Sequence, residues 1–217
     1  MSKRLLIFGP PAAGKGTHAK RLAGELLIPH IATGDMLRKA IQEGTQFGRH
    51  ADSYIQRGQL VPDEVVMSLL QERLAKPDAG GGFLLDGFPR TISQARALDA
   101  RMGEQDQGID AVLALEAPVD VLVKRISGRE ICAACGSVFN RFFRPTQVAG
   151  RCDDCQGPLS QRSDDAEAAV RQRLEQYRAV TAPLLAFFAS AQWPVHVIES
   201  VGEVEEIYGR LRQAVGN

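Results

Sequence analysis

The sequence has no net charge: 26 lysines and arginines face 26 aspartates and glutamates across 217 residues. A neutral chain lacks the broad basic surface that sequence-independent nucleic-acid binding requires. Lysine itself is scarce, 6 residues against 20 arginines. Two readings of that surplus stand open at this point. One is genomic base composition. The other is a set of local anion sites, where the planar guanidinium grips carboxylate or phosphate through two parallel hydrogen bonds. Long apolar runs are missing too, and none approaches the roughly 18 residues of a membrane span. The run from Leu5 to Phe8, after Lys3 and Arg4, is shorter than the roughly 7 residues of a signal-peptide core. A cytoplasmic protein with reduced cysteines is therefore expected. Internal repeats, low-complexity tracts and the G-x-G-x-x-G dinucleotide fingerprint are also absent.

What is present is ordinary for a globular chain, 44% hydrophobic and 24% charged, and long enough for one sizeable domain with an inserted module. Short apolar runs at 3–8, 28–31, 83–86, 111–116 and 195–199 read as strands. Between them lie helix-period stretches near 15–27, 34–43, 47–57, 63–76, 91–102 and 118–127, then a long one over 164–190 and a last one over 203–214. This alternation predicts parallel βαβ units with helices on both faces of a sheet. Pro62 and Pro118 mark helix starts. Only 128–163 breaks the pattern, with turn residues, all four cysteines and no helical period.

Residues 9–17 carry the densest chemical signal. Gly9, Pro10, Pro11, Ala12, Ala13, Gly14, Lys15, Gly16 and Thr17 follow a strand and open a helix, matching the phosphate-loop pattern G-x-x-x-x-G-K. Small residues let backbone N–H groups wrap phosphate oxygens, and the helix N-terminus adds positive potential. Lys15 supplies a point charge for the β and γ phosphates, and Thr17 can orient phosphate and the Mg²⁺ shell.

Cys132-x2-Cys135 and Cys152-x2-Cys155, separated by sixteen residues, have the spacing of a four-thiolate zinc site. Four protein ligands leave no open coordination position, so such an ion would be structural, holding a module too small for its own core. A redox dithiol, disulfides or iron are the alternatives. Arg141, Arg144 and Arg151 interleave with Phe139, Phe142 and Phe143, as in a nucleic-acid-binding ribbon. A module that turns Arg141 and some of the phenylalanines toward a phosphate-bearing ligand is the preferred reading, since it sits between phosphate-facing segments. His18, His30, His50 and His196 show no ligand spacing, and Trp193 with Phe187 and Phe188 reads as core or hinge packing.

Taken together, GPPAAGKGT at 9–17, ATGDMLR at 32–38, DGFPRTISQ at 86–94, ISGRE at 126–130, QRSDD at 161–165 and VRQRL at 170–174 resemble the adenylate kinases, in family order over essentially the whole chain. The resemblance implies an α/β P-loop three-layer fold with a five-stranded parallel sheet, a helical flap for a nucleoside monophosphate and a small zinc-bound lid. Expected boundaries are core 1–31, AMP-binding flap 32–62, core 63–127, lid 128–163 and core 164–217. It also implies the reaction MgATP + AMP ⇌ 2 ADP in a cytoplasmic monomer, with Mg²⁺ and one structural Zn²⁺ and without nucleic-acid or membrane partners.

Site roles follow from the same resemblance. Lys15, Arg90, Arg125, Arg129, Arg162 and Arg173 are the expected catalytic set. Arg125, Arg129, Val138 and Phe139 join the 9–17 loop in holding ATP. Thr33, Gly34, Arg38, Gly87, Arg90, Gln94, Arg162 and Arg173 would hold AMP, with Thr33 and Gln94 at the adenine. Arg125 and Arg129 are expected one helical turn apart on a shared face. Asp86 would anchor magnesium through water. Cys132, Cys135, Cys152 and Cys155 would ligate zinc. A kinase for UMP or CMP, and a non-catalytic nucleotide-binding zinc-ribbon regulator, are the competing functions.

Overall fold

A computed structural model of the chain describes residues 3–104, 107–161, 165 and 167–216. Five strands, β1 (Arg4–Phe8), β2 (His30–Ala32), β3 (Phe83–Asp86), β4 (Ala111–Glu116) and β8 (Val195–Glu199), form one parallel sheet in the order β2-β3-β1-β4-β8. Alternation along the strands sorts the core into two layers. Leu5, Ile7, Leu84, Leu113 and Leu115 point to one face. Leu6, Phe8, Leu85, Val112 and Ala114 point to the other. Burial on both faces is why β1, β3 and β4 read as continuous apolar runs. On the first face pack α1 (Lys15–Leu26), α6 (Val119–Ser127), α7 (Glu167–Gln176) and α9 (Val204–Ala214). On the second pack α4 (Asp63–Leu74), α5 (Ile92–Glu104) and α8 (Leu184–Ser190), together with the helical pair α2 (Thr33–Gln42) and α3 (Gln46–Gln56). Phe188 stacks on Trp193 at 5.3 Å between centroids, and the indole N–H donates to Asp99 at 3.2 Å.

The expected fold class is therefore found, a five-stranded parallel sheet between helical layers. Strand order reverses at β1, whose neighbours β3 and β4 depart to opposite sides. In such sheets ligands collect at the carboxyl edge beside that switch point.

Three local readings need correction. The stretch 164–190 is not one helix. After α7 the chain widens into a π turn, Tyr177–Thr181, in which the Ala182 N–H donates to the Tyr177 carbonyl at 2.7 Å. Pro183 follows at once, and its ring would collide with the carbonyl four residues back in a regular helix. Arg125 and Arg129 do not share a helix face either. α6 closes at Ser127 with Gly128 as its cap, and Arg129 opens a strand. Residues 128–163, featureless by periodicity, contain an antiparallel sheet β6-β5-β7 formed by β5 (Arg129–Cys132), β6 (Val138–Asn140) and β7 (Leu159–Ser160). Strands this short carry too few residues for a period to emerge. No helix among the described residues is long and apolar enough to cross a membrane.

Candidate active site

The turn between β1 and α1 is shaped by glycines. A β-carbon at Gly9 would lie 2.4 Å from the Leu115 carbonyl oxygen, and Gly14, at φ 87°, caps α1 in the left-handed region. Ala12 also sits there, at φ 63°. Lys15 folds back so that its ammonium donates to the carbonyls of Gly9 at 2.8 Å and Pro10 at 2.7 Å. Burial lowers its pKa to about 7. Asp86 opposes that shift, while Arg90, Arg173 and Arg129 add to it. Four basic side chains therefore share one cavity.

Around this turn opens a cavity of about 950 Å³. Of the residues singled out in the sequence, Gly9, Pro11, Ala12, Gly14, Lys15, Gly16 and Thr17 line it, as do Thr33, Gly34, Arg38, Asp86, Gly87, Arg90, Gln94, Arg125, Arg129, Val138, Phe139 and Arg173. Pro10 and Ala13 are buried behind the turn. Arg162 lies outside the described residues.

Each side chain has a structural reason for its position. Asp86 ends β3, in register with Ile7 and Ala32, which brings it beside Gly16. His30 reaches its carboxylate with Nε2 at 3.3 Å. Thr33 donates to the Gly87 carbonyl at 2.9 Å. Arg90 Nε donates to the same carbonyl at 2.7 Å, and Thr181 from the π turn donates to the Arg90 carbonyl at 3.0 Å. Gln94 is buried, its carbonyl accepting the Arg90 N–H and its amide donating to Asp63, both at 2.7 Å. Thr91 fixes the other Asp63 oxygen at 2.8 Å. Arg38 pairs with Asp35 at 2.5 Å. On the far wall Arg129 forks onto Asp165, Nε to Oδ2 at 2.8 Å and Nη2 to Oδ1, while Arg173 adds a donor to Oδ1 at 3.3 Å.

The second sheet behaves differently from expectation at two positions. Arg141 pairs with Glu130 at 3.4 Å and lies outside the cavity wall, whereas Arg144 and Phe143 line it. Arg141 lies just past the end of β6, in the turn that follows Asn140. Phe139 packs its ring into a buried cluster with Cys132 and Cys152, under the Arg144 guanidinium at 5.1 Å.

All four cysteine sulfurs lie within 4.8 Å of one another, with Cys132–Cys155 at 3.4 Å and Cys135–Cys152 at 3.6 Å. Sulfurs around a tetrahedral ion at about 2.3 Å stand about 3.8 Å apart. The donor set therefore fits a tetrahedral metal.

Sequence reasoning missed Ser200, Asp165, Asp63, Thr181 and His30 as parts of the site. Only Asp165 stood within a quoted motif, and there it was given no role. His30, Thr181 and Ser200 reach the cavity, and Asp63 reaches Gln94, through tertiary packing, which no local spacing announces.

Comparison with known proteins agrees with this geometry. The family model for adenylate kinase matches residues 7–193. An adenylate kinase from Syntrophobacter fumaroxidans is 47% identical over 98% of this chain and 99% of its own. One from Moorella thermoacetica is 50% identical over 85% of both chains, and one from Streptomyces griseus 47% over 98% and 97%. With the phosphate-loop motif at the sheet's switch point and full-length likeness, this chain belongs to the adenylate kinase family.

Proposed function

We propose that the protein catalyses MgATP + AMP ⇌ 2 ADP by direct transfer. An AMP phosphate oxygen attacks the γ-phosphorus of ATP, the bond from that phosphorus to the β,γ-bridging oxygen breaks, and ADP leaves. A phosphomonoester with a second pKa near 6 is already ionised at neutral pH, so no general base is required. The task is to bring two polyanions together, which calls for positioned positive charge. The observation that carries this reading is the convergence of Arg90, Arg129 and Arg173 on Lys15 in one cavity.

In this reading the 9–17 loop, with Arg125, Arg129 and Val138, holds ATP. Thr33, Gly34, Arg38, Gly87, Arg90 and Gln94 hold AMP, with residues 32–62 as a flap. Arg162 and Arg173 stabilise the phosphoryl in transit. Residues 128–163 close as a lid, excluding water that would otherwise hydrolyse ATP. Asp86 anchors the hydrated magnesium of the ATP complex, whose charge screens the phosphates. Cys132, Cys135, Cys152 and Cys155 would hold a zinc ion, which would stabilise the lid fold. The zero net charge favours small nucleotides over nucleic acid as partners, and a cytoplasmic monomer suits a substrate set of free nucleotides.

The competing base specificity is decided by an assay with MgATP and AMP, GMP, CMP or UMP as acceptor. ADP formation with AMP is expected to exceed the others. Preference for CMP or UMP would overturn the assignment, and no turnover with any acceptor would refute the kinase reading.

A further inference from the structure

Ser200 follows β8 and has no exposed surface. Its N–H donates to the Glu116 carbonyl at 2.7 Å, which fixes its backbone at the end of the β4–β8 pairing. Its hydroxyl donates to the Ala13 carbonyl at 2.6 Å, and Arg125 Nη1 donates to the hydroxyl oxygen at 3.2 Å. The loop carbonyl takes the hydroxyl proton, so the oxygen is left as an acceptor facing the guanidinium. Ala13 stands two residues before Lys15, so one oxygen sets Arg125 in register with the phosphate-loop motif.

The contrast with Arg129 gives this contact its meaning. Arg129 is paired with the buried Asp165 carboxylate, which it shares with Arg173. Among the described residues Arg125 has no carboxylate partner; its guanidinium meets Ser200 and, at 5.7 Å, the Phe143 ring. Burial also pushes the Arg125 pKa below its ordinary value. A neutral hydroxyl orients the cation without cancelling its charge, leaving that charge available to an anionic ligand.

We propose that Ser200 is a positioning residue that holds Arg125 as an uncompensated cation beside the phosphate-loop motif and so governs recognition of ATP but not of AMP. The inference rests on the adenylate kinase reading. The test measures KM for ATP and for AMP in the full-length wild type, in Ser200→Ala and Ser200→Gly, in Arg125→Ala, and in Ser200→Ala combined with Arg125→Ala. Both single variants delete the hydroxyl, and circular dichroism selects the folded one. Loss of one hydrogen bond of ordinary strength raises the ATP KM about fivefold, with the AMP KM held within about twofold. In the Arg125→Ala background the same change adds nothing. An equal rise in both backgrounds, an equal rise for both nucleotides, or no rise overturns the inference. Failure of the wild type to form ADP would instead refute the kinase reading itself.

Discussion

Arg129 grips Asp165 with two donors on two oxygens, and the carboxylate is only 2% exposed. The pair joins the first strand of the cysteine-bearing sheet to the segment before α7, and Arg173 of α7 leans on the same oxygen. A buried carboxylate shared by two guanidiniums is worth little net stability when whole but is costly to break.

Asp165→Asn removes the buried carboxylate that Arg129 grips with two donors and Arg173 with one. The expected loss is about 3 kcal/mol or more of unfolding free energy, read by urea denaturation. Unchanged stability would show that the pair carries no such weight.

Lys15 gives a pH signature. Its pKa in the free protein is about 7, lowered mainly by burial. A bound polyphosphate raises it, so between pH 7 and 10 nucleotide binding takes up a proton, approaching about one per site. Calorimetry in buffers of different ionisation enthalpy reads this uptake, and Lys15→Met abolishes it. The stability sign is separate. The unfolded lysine binds more protons than the folded one between about pH 7 and 10.5, so this group's contribution to stability rises with pH across that window.

Ala12 holds a left-handed backbone, φ 63°, where L-residues carry about 1–2 kcal/mol of strain. Ala12→Gly removes that strain at the cost of a more flexible unfolded chain. A net rise in Tm of about 2 °C is expected, measured by calorimetry. A fall in Tm would contradict the loop geometry.

Metal removal separates structural from catalytic roles. One zinc per chain is expected by elemental analysis. A strong chelator should lower Tm by about 10 °C, while AMP affinity, which depends on residues outside the cysteine-bearing sheet, stays within about twofold. Loss of AMP binding on chelation would contradict a purely structural ion.

Much of the fold was legible because its signals are local. Five apolar runs, the glycine turn after β1 and the proline helix starts each fix a few neighbouring residues. The cysteine pairs were legible for the same reason, their spacing being a ligand geometry. Arg125 and Arg129 were assigned a shared helix face from their four-residue spacing, and the helix ended between them at Gly128. Ser200, Asp63 and Thr181 act on Arg125, Gln94 and Arg90 across separations of 75, 31 and 91 residues. Those contacts exist only once the sheet has assembled. The arginine surplus is also clearer. Arg38, Arg90, Arg125, Arg129, Arg144 and Arg173 all face the cavity, and base composition alone does not place them there.

Direct transfer from ATP to AMP leaves no phosphorylated protein along the way. The sharpest test is a single turnover with γ-labelled ATP, excess AMP and magnesium, resolving nucleotides, inorganic phosphate and protein. The label is expected in the β-phosphate of ADP, with none on the protein and little as inorganic phosphate. Labelled protein, or release of the label as phosphate without labelled ADP, would contradict the account.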